Sequence, residues 1–261
     1  MNILEKFCRV SSGFTLAEVL VTLGIIGVVS AMTVPTLMSN HQRTVYVTQL
    51  RKVYSEFQQA AISQINSQNA INLMESGVRS DAAMRTFISN QFNVVKDCTG
   101  TPSDCLADSY KNMEGAAVTS YSDTGAACFA LASGAAICAK YAPFTLQYLK
   151  ASDTNADGLD AVKKEFTSKS AIGDLIIDVN GKEGPNILGR DLFLAGILAD
   201  GTVVSEVSAV MKDTELCVMD PDTGKGSCTN NSCENATGLV SQGPAAQCFD
   251  SIIKNNWEMT Y

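Results

Sequence analysis

Asp153, Asn155 and Asp157 place three oxygen-bearing side chains at alternating positions directly before Gly158. This spacing is typical of the opening of a calcium loop, in which carboxylate and amide oxygens coordinate a hard cation. Asp160 could supply a further oxygen. Two interpretations stay open, a Ca²⁺ site and a solvated polar turn, and no other cofactor is expected.

The calcium-loop pattern is broken at position twelve, where an acidic residue normally binds the ion through both oxygens. Lys164 occupies this position, and Glu165 follows one residue later. A second set of oxygen ligands could come from Asp178, Asn180 and Asp191. The glycines and the proline among them favour a tight turn between strands that needs no metal.

Catalytic residues are not expected. The chain has a single histidine, His41, and no serine or cysteine with an apparent base. His41 lies just beyond an apolar segment, which favours an interfacial position. The net charge of −8 argues against nucleic acid as a partner, because affinity for phosphates comes mainly from Lys and Arg.

The nine cysteines indicate disulfides, since none of them forms a C-x-x-C pair. Cys8 lies in a segment that we expect to be removed, which leaves an even set that can pair completely in an oxidising compartment. Their connectivity stays open. The set is Cys98, Cys105, Cys128, Cys138, Cys217, Cys228, Cys233 and Cys248.

A basic segment precedes a long apolar run at the N-terminus. Residues 1–13 carry Lys6 and Arg9, and the run covers 25 residues, 14–38. At ~1.5 Å per residue this run can span a hydrocarbon core of about 30 Å. Small residues stand before the run, so that cleavage there would leave the anchor attached. The positive-inside rule predicts a cytoplasmic leader and an exported C-terminal domain.

Glu18 is a carboxylate within the apolar run, where burial in lipid is costly. One interpretation places it harmlessly at the level of the lipid headgroups. The other requires cleavage between Gly13 and Phe14, which creates a new α-amine at Phe14. The amine of a neighbouring subunit could then neutralise Glu18 in low dielectric and set the register between subunits.

The sequence G-F-T-L-A-E at residues 13–18 resembles the prepilin signature of type IV pilins and type II secretion pseudopilins. The resemblance implies that a membrane prepilin peptidase cuts after Gly13 and methylates Phe14, and that Glu18 sets the register. It also matches Gly27 and Pro35, between which the helix of assembled filaments tends to unwind. Glycine and proline weaken a helix independently of any family, while ordinary membrane-helix composition is an alternative explanation for Gly24, Gly27 and Pro35.

Four regions follow from this interpretation: a leader (1–13), a transmembrane and assembly helix (14–38), its amphipathic continuation (39–66) and a globular domain (67–261). Apolar residues at three- and four-residue spacings predict that the continuation buries one face against a sheet. That stripe consists of Val47, Leu50, Tyr54, Phe57, Ala61 and Ile65.

A second helix is predicted over residues 82–95, capped by Asp81 and ending near Lys96. Residues 126–140 predict two strands about a Ser133-Gly134 turn, which would bring Cys128 and Cys138 together in a disulfide. Further strands are expected at 144–150, 174–179, 191–198 and 202–207, the last two joined by a tight turn at Asp200-Gly201.

The region from Cys217 to Cys248 has few apolar runs, so covalent links are expected to replace burial there. The last 14 residues, 248–261, predict a short helix with Ile252 and Ile253 inward. The whole is an α+β fold: a long N-terminal helix on an antiparallel sheet, with a disulfide-rich C-terminal region. The pilin resemblance implies the same fold.

The expected protein is a single-pass inner-membrane precursor with a periplasmic C-terminal domain, which later joins a pilus or pseudopilus and reaches the cell surface in some systems. Its expected partners are other pilin subunits, the prepilin peptidase and the inner membrane, and it has no enzymatic step. One alternative is a minor or tip subunit. Another is an adhesin or DNA-uptake module that binds through its C-terminal region, where Phe249, Trp257 and Tyr261 are the candidate aromatics.

Overall fold

The structure of the protein is a computed structural model that describes residues 15–119, 121, 123–148, 167–204, 209–212, 215–219, 226–229, 234, 236, 239 and 247–261. The chain divides into two compact units, residues 1–43 and residues 44–261. Helix α1 (Leu16–Ser67) contributes to both.

The larger unit contains the remaining elements. Two helices, α2 (Asp81–Gln91) and α3 (Gln247–Lys254), and a 3-10 helix (Pro102–Asp104) accompany the strands. The strands are β1 (Val94–Asp97), β2 (Tyr110–Lys111), β3 (Ala117–Val118), β4 (Ala127–Leu131), β5 (Ala136–Tyr148), β6 (Thr167–Asp178), β7 (Leu192–Leu198), β8 (Val203–Val204), β9 (Ala209–Lys212), β10 (Glu215–Met219) and β11 (Gly226–Thr229).

Six strands form the main sheet in the order β1-β4-β5-β6-β7-β8, and each neighbouring pair is antiparallel. Smaller sheets have the order β11-β10-β9 and β2-β3. The expected α+β architecture, with a long N-terminal helix and an antiparallel sheet, is confirmed.

The part of α1 within the larger unit buries the predicted apolar stripe. Val47, Leu50, Phe57 and Ala61 are buried in one core cluster with residues of the sheet. Tyr54 and Ile65 pack against that cluster while partly exposed. Burying a side chain of this size stabilises a fold by roughly 1.5–3 kcal/mol, so the stripe alone secures the helix on the sheet.

The sheet is covered on both faces. On β6, Leu175 and Ile177 belong to the core shared with the helices, whereas Ile176 belongs to a second cluster with Leu106 and Tyr110. Neighbouring residues of a strand point to opposite faces, which assigns the clusters to the two sides of the sheet. The helices therefore cover one side, and the disulfide-bonded loops cover the other.

The turn between β7 and β8 meets α1 at close range. Gly201 adopts a left-handed φ of +84°, as the expected Asp200-Gly201 turn requires. A Cβ at this position would overlap the side chain of Ala61. A glycine at 201 therefore allows both the turn and the close approach of the helix.

The prediction for α2 was wrong at both ends. Ser80, not Asp81, caps the helix, since its Oγ accepts a hydrogen bond from the amide of Ala83 at 3.2 Å. The helix ends at Gln91, and Val94–Asp97 form the edge strand β1 paired with β4. Pairing with β4 outweighs local helix preference in a segment whose β-branched valines favour a strand.

The predicted hairpin about Ser133-Gly134 is confirmed as β4 and β5. The separate strand expected from Phe144 is instead the continuation of β5, with a register shift between Tyr141 and Phe144. Pro143 lies within this irregularity, since a proline cannot donate to the strand ladder. The remaining predicted strands are present with shifted ends. Strand β6 starts at Thr167, earlier than predicted. Of the strand predicted at 202–207, the structure shows Val203–Val204 as β8.

The C-terminal region is more regular than its composition indicated. Strands β10 and β11 pair with Cys217 opposite Cys228 in a segment predicted to be a stapled loop. Helix α3 confirms the predicted short helix, with Ile252 buried and Ile253 packed at the edge of the core.

Candidate functional site

The start of α1 is organised by two residues, Thr15 and Glu18. The amide and the hydroxyl of Thr15 each donate a hydrogen bond of 2.8 Å to Oε2 of Glu18. In return, the Glu18 amide donates to Thr15 Oγ1 at 3.2 Å. The carbonyl of Thr15 accepts the first helical bond, from Val19, at 3.2 Å. This reciprocal pattern is a capping box, which satisfies amides that a helix N-terminus otherwise leaves unpaired.

The N-terminal part of α1 exposes an apolar surface. Among the described residues, α1 is the one helix long and apolar enough to cross a membrane, and none of its apolar window is buried in the protein. Leu16, Leu20, Ile25 and Met32 are all exposed. A surface of this kind calls for lipid or another protein to cover it.

The helix is continuous through Gly27 and Pro35. A Cβ at Gly24 or Gly27 would meet no atom within 4 Å in the chain itself. Packing within this chain therefore does not require these glycines. The unwinding between Gly27 and Pro35 concerns assembled filaments and stays a prediction.

Two buried carboxylates flank the turn between β6 and β7: Asp178 ends β6, and Asp191 directly precedes β7. The two oxygens of Asp191 accept hydrogen bonds from the amides of Asn186 and Ile187, both at 2.6 Å. Burial is the main cause of the raised pKa of Asp191, which these amides partly offset. Asp191 therefore holds the loop that precedes its own strand.

Asp178 is bonded to a tyrosine of strand β2. Tyr110 donates its phenolic proton to Oδ2 of Asp178 at 2.5 Å. Burial raises the pKa of Asp178 to about 7, and the nearby charge of Asp191 acts in the same direction, while the bond from Tyr110 opposes the rise. Burial and the Asp178 carboxylate raise the pKa of Tyr110. The pair joins β2 to the end of β6 on the face of the main sheet opposite to the helices.

Both carboxylates accept hydrogen bonds from protein groups, Asp178 from Tyr110 and Asp191 from two backbone amides. No group of three or more His, Cys, Asp or Glu side chains that could hold a metal occurs in the described part of the chain. The side-chain Nδ2 of Asn180 donates to the carbonyls of Glu183 at 2.8 Å and Gly184 at 3.0 Å, which shapes the tight turn. The calcium candidates Asp153, Asn155, Asp157 and Asp160 lie outside the described residues, so that site stays a prediction.

Two disulfides close the loops beside the sheet. Cys128 and Cys138 are bonded across the β4–β5 hairpin, as predicted, and Cys98 is bonded to Cys105. Cys248 is also disulfide-bonded. The side chains of the remaining three predicted members, Cys217, Cys228 and Cys233, lie outside the described residues.

The C-terminal aromatics are packed rather than presented for binding. Trp257 lies edge-on to Tyr54, with ring centroids 5.1 Å apart, and the Arg51 guanidinium lies over its ring at 5.7 Å. The Tyr261 hydroxyl donates towards the carbonyls of Gly189 and Cys248, at 2.9 and 3.1 Å. Trp257 therefore packs the C-terminal tail against α1, and Tyr261 bonds it to the β6–β7 loop. These contacts argue against the hypothesis that the tail aromatics form an adhesive surface.

A family model described as the prokaryotic N-terminal methylation motif matches residues 8–34. The match covers the proposed cleavage bond, the capping box and most of the exposed apolar helix. The chain is a precursor with the prepilin motif of type IV pilins and pseudopilins. No curated protein and no solved structure matches the chain.

The prepilin motif places the predicted processing residues at the end of the chain that precedes α1. Gly13 and Phe14 lie outside the described residues, so the structure gives no geometry for the cleavage bond. Glu18 lies in the first turn of α1, and Gly27 and Pro35 lie within the helix. The structure therefore brings the assembly residues onto one element of the prepilin.

Two features of the prepilin were missed in the sequence. The capping box has a sequence signal, Thr-x-x-Glu at residues 15–18 at the start of an apolar run. The sequence interpretation assigned Glu18 to pairing between subunits and did not consider a cap. The burial of Asp178 and Asp191 had no local signal, because Tyr110 is 68 residues from Asp178 in the chain.

Proposed function

We propose that this prepilin is a structural subunit of a type IV pilus or a type II secretion pseudopilus. Prepilin peptidase cuts it after Gly13 and methylates Phe14. The mature chain stays in the inner membrane through α1, with its C-terminal domain in the periplasm, until it polymerises through that helix. The observation that carries this proposal is the methylation motif at residues 8–34, which includes most of the exposed apolar surface of α1.

The geometry at Glu18 supports a register role in the polymer. Both hydrogen bonds from Thr15 go to Oε2 of Glu18, so Oε1 can accept a hydrogen bond from the protonated Phe14 amine of a neighbouring subunit. In low dielectric that pair is strongly favoured over an unpaired carboxylate. Helix packing and charge pairing would then agree at one stagger between subunits.

The proposed role includes no enzymatic step by the chain itself. Cleavage and methylation are done by the peptidase, and polymerisation needs packing and charge pairing alone. The partners are other pilin or pseudopilin subunits, of the same or a different kind.

Processing is the direct test. We expect the intact mass of wild-type protein from cells with active prepilin peptidase to equal residues 14–261 plus one methyl group. Gly13→Ala should retain residues 1–13 and stay out of sheared filaments. Gly24→Ala is the matched control, since a methyl there meets no atom of the chain, and it should be processed normally. Wild-type protein that keeps residues 1–13 in those cells would contradict the proposal.

A further inference from the structure

The first two disulfides join cysteines that follow one another in the chain. Cys98 is bonded to Cys105, 7 residues later, and Cys128 is bonded to Cys138, 10 residues later. No other cysteine stands between the members of either pair. The four cysteines that follow Cys8 therefore form two consecutive pairs that do not cross.

The register of β10 and β11 extends this order to the next two cysteines. Cys217 lies directly opposite Cys228 in the antiparallel ladder. The bonded pair Cys128 and Cys138 has the same relation across β4 and β5. Residues opposite each other in an antiparallel pair have Cα atoms about 4.5–5.5 Å apart, a separation that a disulfide can span. The backbone thus favours a bond between Cys217 and Cys228.

The chain directly after Cys233 is held beside Cys248, which is disulfide-bonded. Glu234 follows Cys233 in the sequence, and its carbonyl accepts a hydrogen bond from the amide of Met113 at 3.1 Å. A Cβ at Gly189 would overlap both the Cε of Met113 and the Sγ of Cys248. Met113 therefore keeps the chain neighbour of Cys233 close to the sulfur of Cys248.

A second contact connects Glu234 to Cys248. The Tyr261 hydroxyl donates to the carbonyl of Cys248 at 3.1 Å. Burial, and then the charge of Glu234, raise the pKa of Tyr261, which places Glu234 within electrostatic range of the same hydroxyl. Met113 and Tyr261 thus locate Glu234 near Cys248 independently of each other.

The order of pairing matters because the bonds must form before the domain closes. Cys98, Cys105, Cys128 and Cys138 are all buried in one core cluster. Exchange of a disulfide needs a thiolate that can reach its sulfur, so these bonds are protected once the cluster has formed. Export that follows the membrane anchor delivers the cysteines in chain order, and short loops close at the lowest entropic cost. Each cysteine would then meet its partner without rearrangement.

We propose that the eight cysteines of the exported domain pair in chain order, the last four as Cys217 with Cys228 and Cys233 with Cys248, and that a periplasmic dithiol oxidase completes the set without a disulfide isomerase. In each step two thiols of the chain lose two protons and two electrons, an S–S bond forms, and the disulfide of the oxidase is reduced to a dithiol. Cys233 lies outside the described residues and is assigned by the cysteine count and by the position of Glu234. The proposal rests on the proposed periplasmic location of the domain.

The first test maps the disulfides of full-length wild-type protein after cleavage at Lys, Arg and Glu without reduction. Peptides 97–111 and 115–140 should each carry one internal bond. Cys228 and Cys233 share peptide 226–234, so fragmentation between them in the mass spectrometer assigns their partners. We expect Cys217 on Cys228 and Cys248 on Cys233, and any other connectivity overturns the proposal. A different connectivity in protein that is still cut after Gly13 would leave the proposed function intact.

The second test compares cells that lack the periplasmic dithiol oxidase with cells that lack the disulfide isomerase. Without the isomerase, immunoblots should show the same amount of wild-type protein as in the parent cells. Without the oxidase the amount should fall several-fold, because loss of native disulfides destabilises a fold and exposes the chain to proteolysis. A several-fold fall without the isomerase, or an unchanged amount without the oxidase, would overturn the proposal.

Two variants test whether chain order directs the pairing. Cys105→Ser leaves Cys98 without its partner, so Cys128 becomes the next cysteine to reach it and each later pair is displaced. The amount of this variant should fall several-fold further when the isomerase is removed. The double variant Cys98→Ser/Cys105→Ser is the matched control, since it lacks the same disulfide but keeps consecutive pairs, and its amount should not change. An equal response of both variants to loss of the isomerase would contradict the proposed order.

Discussion

Thr15 and Glu18 cap α1 reciprocally: two hydrogen bonds run from Thr15 to Oε2 of Glu18, and one returns from the Glu18 amide to Thr15 Oγ1. Glu18 therefore has a role within its own chain as well as the proposed role between subunits. A capping box accepts glutamine in place of glutamate, whereas a charge pair does not. The two roles can thus be separated by substitution.

The first prediction compares Glu18→Gln with Thr15→Ala. Glu18→Gln keeps an acceptor for the cap but removes the charge, so we expect normal membrane insertion and at least about tenfold less protein in sheared filaments. Thr15→Ala removes the capping hydroxyl at a cost of about 1 kcal/mol but leaves the charge, so filament yield should stay near wild type. Quantitative immunoblots of the membrane and filament fractions measure both.

The reverse pattern would change the interpretation of Glu18. Normal filaments from Glu18→Gln together with poor filaments from Thr15→Ala would show that capping, not charge pairing, is what assembly needs.

The second prediction concerns pH and Asp178. Its folded pKa, about 7, is above its unfolded value, so the folded state binds more protons between the two values. The stability that this adds is fully present below about pH 4 and is lost as the pH rises through 7. Urea unfolding of full-length protein should show the contribution of Asp178 falling from pH 5 to pH 8, and Asp178→Asn should reduce this fall.

Asp191, whose pKa is also raised, acts in the same direction as Asp178, whereas Asp97 and Asp123 act in a different pH window. The pKa values of Asp97 and Asp123 are lowered, so their contributions are present above about pH 4 and are lost only as the pH falls further. Asp174→Asn is the control, since Asp174 is a partly exposed carboxylate on the same strand. An equal effect of the Asp174 and Asp178 substitutions on the slope would rule out the buried Asp178 as its source.

The third prediction concerns the contact between Gly201 and α1. Gly201→Ala forces an alanine into a left-handed conformation and drives its methyl into Ala61, so we expect a loss of roughly 2–5 kcal/mol in unfolding free energy. Gly115→Ala is matched in conformation, with φ +88°, but a methyl there meets no atom within 4 Å. It should cost only about 1–2 kcal/mol. Similar losses in both variants would mean that the close approach to Ala61 contributes nothing.

Elements with a strong local period were predictable. The stripe from Val47 to Ile65 repeats every three or four residues over several turns, and the Ser133-Gly134 turn lies between two short apolar strands. The end of α2 was not predictable, because Val94 and Val95 continue the apolar pattern of a helix, whereas the segment gains more from pairing Val94, Lys96 and Asp97 with β4. Local preference is worth less than pairing and burial at such boundaries.

The prepilin motif could be read from the residues alone, because the members of the G-F-T-L-A-E signature at 13–18 are neighbours in the chain. Long-range packing, by contrast, bonds Asp178 to Tyr110 and places Trp257 against Tyr54. Each of these pairs is far apart in the chain. Their contacts form when α1 and the sheet bury their apolar faces together. A local sequence pattern cannot predict such contacts, because they depend on the whole fold.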